Sequence, residues 1–252
     1  MKIAPVAVLC LTLVIAGCAS NPGNPQDPLE PMNRAVYSFN DKVDRAVAKP
    51  VAQAYRTVTP TPLRIAVGNF FNNILDVYSI ANNVLRADPQ KALNDVMRVA
   101  INSTLGVFGL VDFATPAGLA NNKTTLGDTK ATWGWKSSSY LVIPFLGPST
   151  IRDGIGTGVT LYLSPDRDLY ATPAQANVAW GLHLVSKREQ LLGLEDSVQE
   201  AALDPYSYTR DAYLQIRAKD VGAPSPSAAD DMDIDQLMAP DTSSAPLATA
   251  PK

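Results

Sequence analysis

Two kinds of apolar pattern run along the chain. Residues 3–16 are an unbroken apolar stretch behind Met1 and Lys2, whereas from residue 33 onward apolar positions recur every three or four residues, the period of amphipathic helices. Val36, Phe39, Val43 and Val47 trace one face of a helix predicted from about Asn33 toward Lys49. Pro31 suits its first turn, Glu30 lies near its positive end, and Pro50 stands where it would stop or kink the helix. Phe70, Phe71, Ile74, Leu75, Tyr78, Ala81, Val84 and Leu85 keep the period through the segment from Pro62 to Arg86. Its other side is Asn69, Asn72, Asn73, Asn82 and Asn83, with only Asp76 and Arg86 charged. Asparagine is a poor helix former, and a helix facing water normally shows Lys and Glu. Two readings fit: a polar face for a headgroup layer or narrow pore, where bulk water is scarce, or two short helices broken near 72–76 and capped by asparagines.

Asp88-Pro89 opens the next helix, in which Leu93, Val96, Met97, Ala100 and Ile101 form a stripe expected to pack in a core, with Lys91, Asp95 and Arg98 facing away. Within 140–148, Pro144 argues against a central strand, so an extended or turn-rich segment is predicted. Its flanking aromatics, Trp133, Trp135 and Tyr140, suit either a core or a membrane interface. Residues 172–219 read as helical again, Asp204 before Pro205 being a good helix start. The fold class expected is all-α.

The apolar stretch at 3–16 is too short to cross a bilayer, which takes about 20 apolar residues, so it reads as a removable signal. Ile15-Ala16-Gly17-Cys18 resembles the bacterial lipobox, which makes Cys18 the acylated first residue of the mature chain. Ala19, rather than Asp, favours sorting to the outer membrane of a Gram-negative cell. Prolines at 22, 25, 28 and 31 follow at the three-residue turn of polyproline II. At 3.1 Å per residue that gives a leash of at most about 40 Å, or else an irregular linker of the same length. The divisions expected are a signal at 1–17, a lipid-anchored tether at 18–31, a helical domain at 32–220 and a Pro-rich acidic tail at 221–252.

Composition narrows the chemistry. With the signal removed, Cys18 is the sole cysteine, which leaves no disulfide, thiolate metal site or cysteine nucleophile. His183 is the only histidine and sits in an amphipathic run, where a packed helix residue is expected rather than a catalytic base. No phosphate loop or serine-nucleophile elbow occurs. Gly154, Gly156 and Gly158 lack the lysine and strand that such a loop needs, and read as a flexible or closely packed turn. Without Lys2 there are 20 basic and 24 acidic residues, and the part from Gly222 onward holds five acids and one lysine. The body is therefore neutral and carries no footprint for nucleic acid. No enzyme, cofactor or metal site is expected.

Beyond these patterns, Asp27, Pro28, Leu29, Glu30, Asn33, Arg34, Tyr37, Phe39 and Asn40 resemble the opening signature of the VacJ/MlaA lipoprotein family. Pro144, Gly147, Pro148, Arg152 and Asp153 match its Y-L-V-x-P-x-x-G-P-x-x-x-R-D stretch. Arg188, Leu191 and Leu192 match R-x-x-L-L. Asp204, Pro205, Tyr206, Arg210, Asp211 and Tyr213 match the closing D-P-Y-x-x-x-R-D-A-Y. Lys136 to Ser139 depart from the family, which is usually glycine-rich and aromatic there. The resemblance implies a ring of helices in the periplasm-facing leaflet of the outer membrane, with a central amphipathic channel. It also implies removal of misplaced phospholipid from the outer leaflet, a soluble periplasmic lipid carrier as acceptor, and trimeric porins as partners. Asn69, Asn72, Asn73 and Asn82 would then contact headgroups and the 154–158 glycines would form a gate. A lipoprotein that only scaffolds porins or other envelope machinery is the alternative.

Overall fold

The computed structural model describes residues 24–163, 165–201 and 203–223, with the side chains of all of these except 165 and 194–201. The signal, Cys18 and the acidic tail lie outside the described residues. Among the described residues there are eight α-helices and one hairpin: α1 (Glu30–Val43), a π-helical stretch (Asp44–Ala48), α2 (Lys49–Val58), α3 (Thr61–Leu85), α4 (Pro89–Thr104), α5 (Leu126–Thr132), β1 (Tyr140–Ile143), β2 (Gly147–Thr150), α6 (Ile151–Leu163), a 3-10 turn (Pro165–Leu169), α7 (Pro173–Ala201) and α8 (Pro205–Val221).

Pro50 neither ends the first helix nor breaks it. Proline lacks an N–H and its ring crowds the carbonyl four residues back. The chain meets this with the wider π turn, in which the Lys49 N–H reaches the Asp44 carbonyl five residues earlier. Arg188 of α7 grips the Asp44 carboxylate with two bonds of 2.6 and 2.7 Å, tying this turn to the far end of the chain.

The expected extended segment at 140–148 is an antiparallel hairpin in which Tyr140 pairs with Thr150 and Val142 with Pro148, leaving Pro144 in the turn. Helix α1 takes the place of a third strand. The Asn33 amide donates to the Tyr140 carbonyl and accepts from the Val142 N–H, and Asn40 does the same with Ile143 and Phe145. Seven helical residues rise about 10.5 Å and three strand residues about 10 Å, so amides spaced by seven meet both ends of β1. Behind the hairpin, Tyr140, Val142, Tyr206 and Leu214 form the apolar core, with Val36, Tyr37 and Tyr213 against it.

The tether ends earlier than expected. Residues 24–29 are turns, the Tyr140 N–H donates to Gln26, and Asp27 is fully buried, so the folded body reaches back at least to residue 24 instead of starting at 32. Asp27 holds this position by accepting from Asn33 at 2.8 Å and from the Tyr206 hydroxyl at 2.5 Å, beside Arg210.

Helices α3 and α4 pair as a hairpin whose sides are the reverse of the expected ones. Leu93, Val96 and Met97 are outside, Leu93 being 63 % exposed, whereas Asp95 and Arg98 are 1 % exposed. The facing side of α3 is Asn73, Asp76, Ser79 and Asn83, all buried, and α3 runs unbroken through residues 72–76. Polar groups hold this seam. Asn83 donates to Asp95 at 2.8 Å, and Arg98 reaches Asp76, Thr115, the Leu119 carbonyl and Asp112. Lys123 pairs with the other Asp76 oxygen, and Asn73 donates to Ser103 at 2.9 Å. A second buried set joins α5, α6 and α8: Arg217 bridges Asp128 and Asp153, which also takes Arg152.

Candidate functional site

With charge inside, the large apolar residues lie outside. Leu93, Val96 and Met97 continue past the α4 end into Leu105, Val107, Phe108, Leu110, Val111 and Phe113, all exposed, and Ile65, Val77, Val84 and Leu85 of α3 are exposed as well. Val107 and Phe108 adopt left-handed backbone at φ 52° and 57°, which turns the Phe108 ring outward at 76 % exposure. A soluble surface rarely shows so large an apolar patch, and one of this extent marks a membrane or protein interface. No helix among the described residues is long and apolar enough to cross a bilayer.

Inside this envelope, α3 and α7 run along a seam with two cavities. The first, about 540 Å³, is polar: Asn69, Asn72 and Gly68 of α3 face Gln190 and Glu189 of α7. Arg64 pairs with Glu189 and Arg56 lies 3.6 Å from it, so the two cations share that one carboxylate. The second, about 480 Å³, is amphipathic: Phe71, Ile74, Leu75 and Trp180 give it apolar walls, while Arg167 and Lys187 bring positive charge. Phe71 and His183 meet in the lining of the second, their ring centroids 4.5 Å apart. Both cavities lie on one helical face, since Arg64, Gly68, Phe71, Leu75 and Tyr78 follow the three-to-four spacing of α3.

Burial, with a further push from Lys187, lowers the pKa of His183 below the ordinary imidazole value, so the ring is neutral at pH 7. Burial and a hydrogen bond to Asp166 raise the Tyr78 phenol to about 12. That hydroxyl donates to Asp166 at 2.5 Å and stays protonated. Among the described residues, no group of three His, Cys, Asp or Glu side chains is placed to hold a metal.

The four asparagines separate. Asn69 and Asn72 line the polar cavity, Asn69 also donating to the Leu110 carbonyl at 3.2 Å. Asn73 is buried against α4, and Asn82 donates to the Tyr78 carbonyl while accepting from Thr129. Gly154, Gly156 and Gly158 form no turn; they lie in α6. A methyl on Gly156 would stand 3.0 Å from the Gly127 nitrogen, which makes this the point where α6 touches α5, whereas Gly158 faces open space. Of the interfacial aromatics, Trp133 and Trp135 are exposed and Tyr140 is core. The remaining signature residues hold the body together. Arg34 makes a forked contact with Asp204 and sits 4.3 Å from the centroid of the Tyr206 ring, while Phe39 packs edge-on against Phe145. Trp180, Lys187 and Arg167 escaped the sequence reading, because a single apolar or basic residue on a long helix, or one arginine in a short 3-10 turn, carries no distinguishing pattern.

A family model described as MlaA lipoprotein matches residues 25–220. The chain is 32 % identical over 225 residues to the intermembrane phospholipid transport system lipoprotein MlaA of Escherichia coli, covering 85 % of this chain and 87 % of that one. The Haemophilus influenzae protein of the same name is 29 % identical, over 83 % and 87 %. An uncharacterised Rickettsia typhi protein is 32 % identical, over 79 % of each. A solved structure described as the structural basis for maintenance of bacterial outer membrane lipid asymmetry superposes with a TM-score of 0.65 at 32 % identity, covering 77 % of this chain and 98 % of its own.

Proposed function

From the membership of this chain in the MlaA lipoprotein family, a family of phospholipid transport at the outer membrane, we propose that it withdraws misplaced phospholipid from the outer leaflet through an amphipathic channel between its helices and delivers it to a soluble periplasmic carrier. The observation that carries this reading is the reversal of inside and outside: charge and amide groups fill the α3–α4 seam while Leu93, Val96, Phe108 and their neighbours face outward. Such a body is suited to sit in one leaflet, its apolar belt in acyl chains. Its helical ring would leave the α3–α7 seam as the polar path for a headgroup.

Energetics support direct hand-over. Exposing some thirty methylenes of two acyl chains to water costs more than about 20 kcal/mol at 0.8 kcal/mol each, and no nucleotide motif in the chain would supply it. The lipid therefore passes from one apolar surface to another, which calls for a carrier with a pocket of its own. Porin trimers would hold the body at the outer membrane, and its exposed apolar helix faces are suited to pack on a barrel. Cys18, as acylated residue, supplies the anchor.

Asn69 and Asn72 remain assigned to headgroup contact. Asn73 and Asn82 serve packing, so the variant that tests the path is Asn69→Leu with Asn72→Leu. It should keep its helicity and membrane fraction and raise outer-leaflet phospholipid to the level of cells lacking the protein. Unchanged outer-leaflet lipid in cells carrying that variant would refute the assignment.

A further inference from the structure

The two cavities differ in what their charges are left to do. In the polar one, Glu189 takes up both Arg64 and Arg56. In the amphipathic one the acid is the group already engaged: Asp166 accepts the Tyr78 hydroxyl at 2.5 Å, and its own N–H donates back to the Tyr78 oxygen at 3.3 Å. Arg167 gives one bond, at 2.9 Å, to the neutral Asn177 amide, and neither Arg167 nor Lys187 has a carboxylate partner among the described residues. One guanidinium and one ammonium, both on exposed residues, thus line the same cavity as Phe71, Ile74 and Trp180. Arginine and lysine together are the donors that recognise phosphate, and apolar walls beside them exclude a freely hydrated anion as the preferred guest.

We infer that this cavity is a binding site for the phosphodiester of a glycerophospholipid, with Arg167 and Lys187 taking the phosphate oxygens and the proximal acyl carbons lying against Phe71, Ile74 and Trp180. The inference rests on the transport reading and deepens it by naming the group that is read. His183 adds no charge: it is a neutral wall packed on Phe71. Asp166 leaves the site with a net charge of one positive, enough to favour a phosphodiester over an uncharged glycerol headgroup without trapping a dianion.

Trp180 lies in the wall, so it reports occupancy. The full lipoprotein carrying Trp133→Phe and Trp135→Phe keeps Trp180 as its single tryptophan. In detergent micelles it is titrated with brominated phosphatidylglycerol and with brominated diacylglycerol of the same chains. The phosphate lipid should quench Trp180 at a concentration at least about tenfold lower, since two charge-assisted contacts are at stake. Arg167→Gln with Lys187→Gln should bring the two lipids to within about twofold, at unchanged helicity. Lys187→Arg alone, which keeps both charges, should retain the preference. Equal quenching by both lipids before those substitutions overturns phosphate recognition while leaving lipid passage through the cavity intact. Undiminished preference in the double variant overturns the role of the two cations. Absence of quenching by either lipid overturns the site altogether, and outer-leaflet lipid in cells then judges the transport reading separately. Displacement of the lipid by sn-glycerol 3-phosphate at equal concentration overturns the lipid and makes a soluble phosphate the guest.

Discussion

At the scale of single residues, the signature asparagines are the clearest case of chemistry dictated by geometry. Asn33 uses both ends of its amide on β1 and a third bond on buried Asp27, so Asn33→Ala leaves several buried partners unmet. A loss of about 2–4 kcal/mol is expected by chemical denaturation. The glycines of α6 predict a contrast. Gly156→Ala forces a methyl against the α5 backbone and should destabilise by about 1–3 kcal/mol, whereas Gly158→Ala meets open space and should be neutral or gain up to about 1 kcal/mol from helix propensity. Transport lost in Gly158→Ala at full stability would return these glycines to the role of a gate. The lone histidine offers a direct reading of its surroundings: its imidazole resonance should titrate below the ordinary imidazole value of about 6.5. A depressed folded pKa means that the unfolded chain binds the proton first, so His183 contributes stability above pH 6.5 that is lost as pH falls below it.

At the scale of elements, α4 shows that a helical face can be read from sequence while its surroundings cannot. Periodicity put Leu93, Val96 and Met97 on one side and Lys91, Asp95 and Arg98 on the other; the apolar grouping holds, and so does the pair Asp95 and Arg98, while Lys91 is exposed instead of sharing their burial. Which side is inward was reversed: the polar side of α4 packs on α3 through the Asn83–Asp95 and Arg98–Asp76 contacts, which leaves the apolar stripe outside. The same reversal explains part of α3, whose Asn73 and Asn83 meet α4 instead of water. Val96→Glu should therefore leave the buried network intact and weaken membrane seating, since a charge set in hydrocarbon costs up to about 2.5–3.5 kcal/mol. Flotation with liposomes checks it: unchanged flotation would mean that α4 does not face lipid. Two half-buried carboxylates add a pH dependence at the same scale. Asp112 is held down to about 2: burial opposes the shift, but bonds from Thr115 and Asn102 and the Arg98 charge outweigh it. Asp153 is likewise lowered by Arg217 and Arg152 against burial. Stability from these acids is present above pH 4 and should fall as pH drops toward 2, seen as a declining denaturation midpoint.

At the scale of the whole molecule, the periodic stripes, the Pro-marked helix starts and the signature runs from Asp27 to Arg217 were enough to identify a helical lipoprotein of this family, since each depends on neighbours in sequence or on motifs that survive as strings. Pro50 was recognised as a disturbance, but only the folded chain shows a π turn anchored by Arg188, a partner 144 residues away. The seam that joins Arg64 to Glu189, and Phe71 to His183, depends on how α3 and α7 lie against each other. Local sequence determines which residues share a face, because the helix repeat is a property of the backbone. Which face meets lipid, and which unpaired cations meet across a cavity, is decided only by packing, because burial belongs to pairs of elements and to the medium around them.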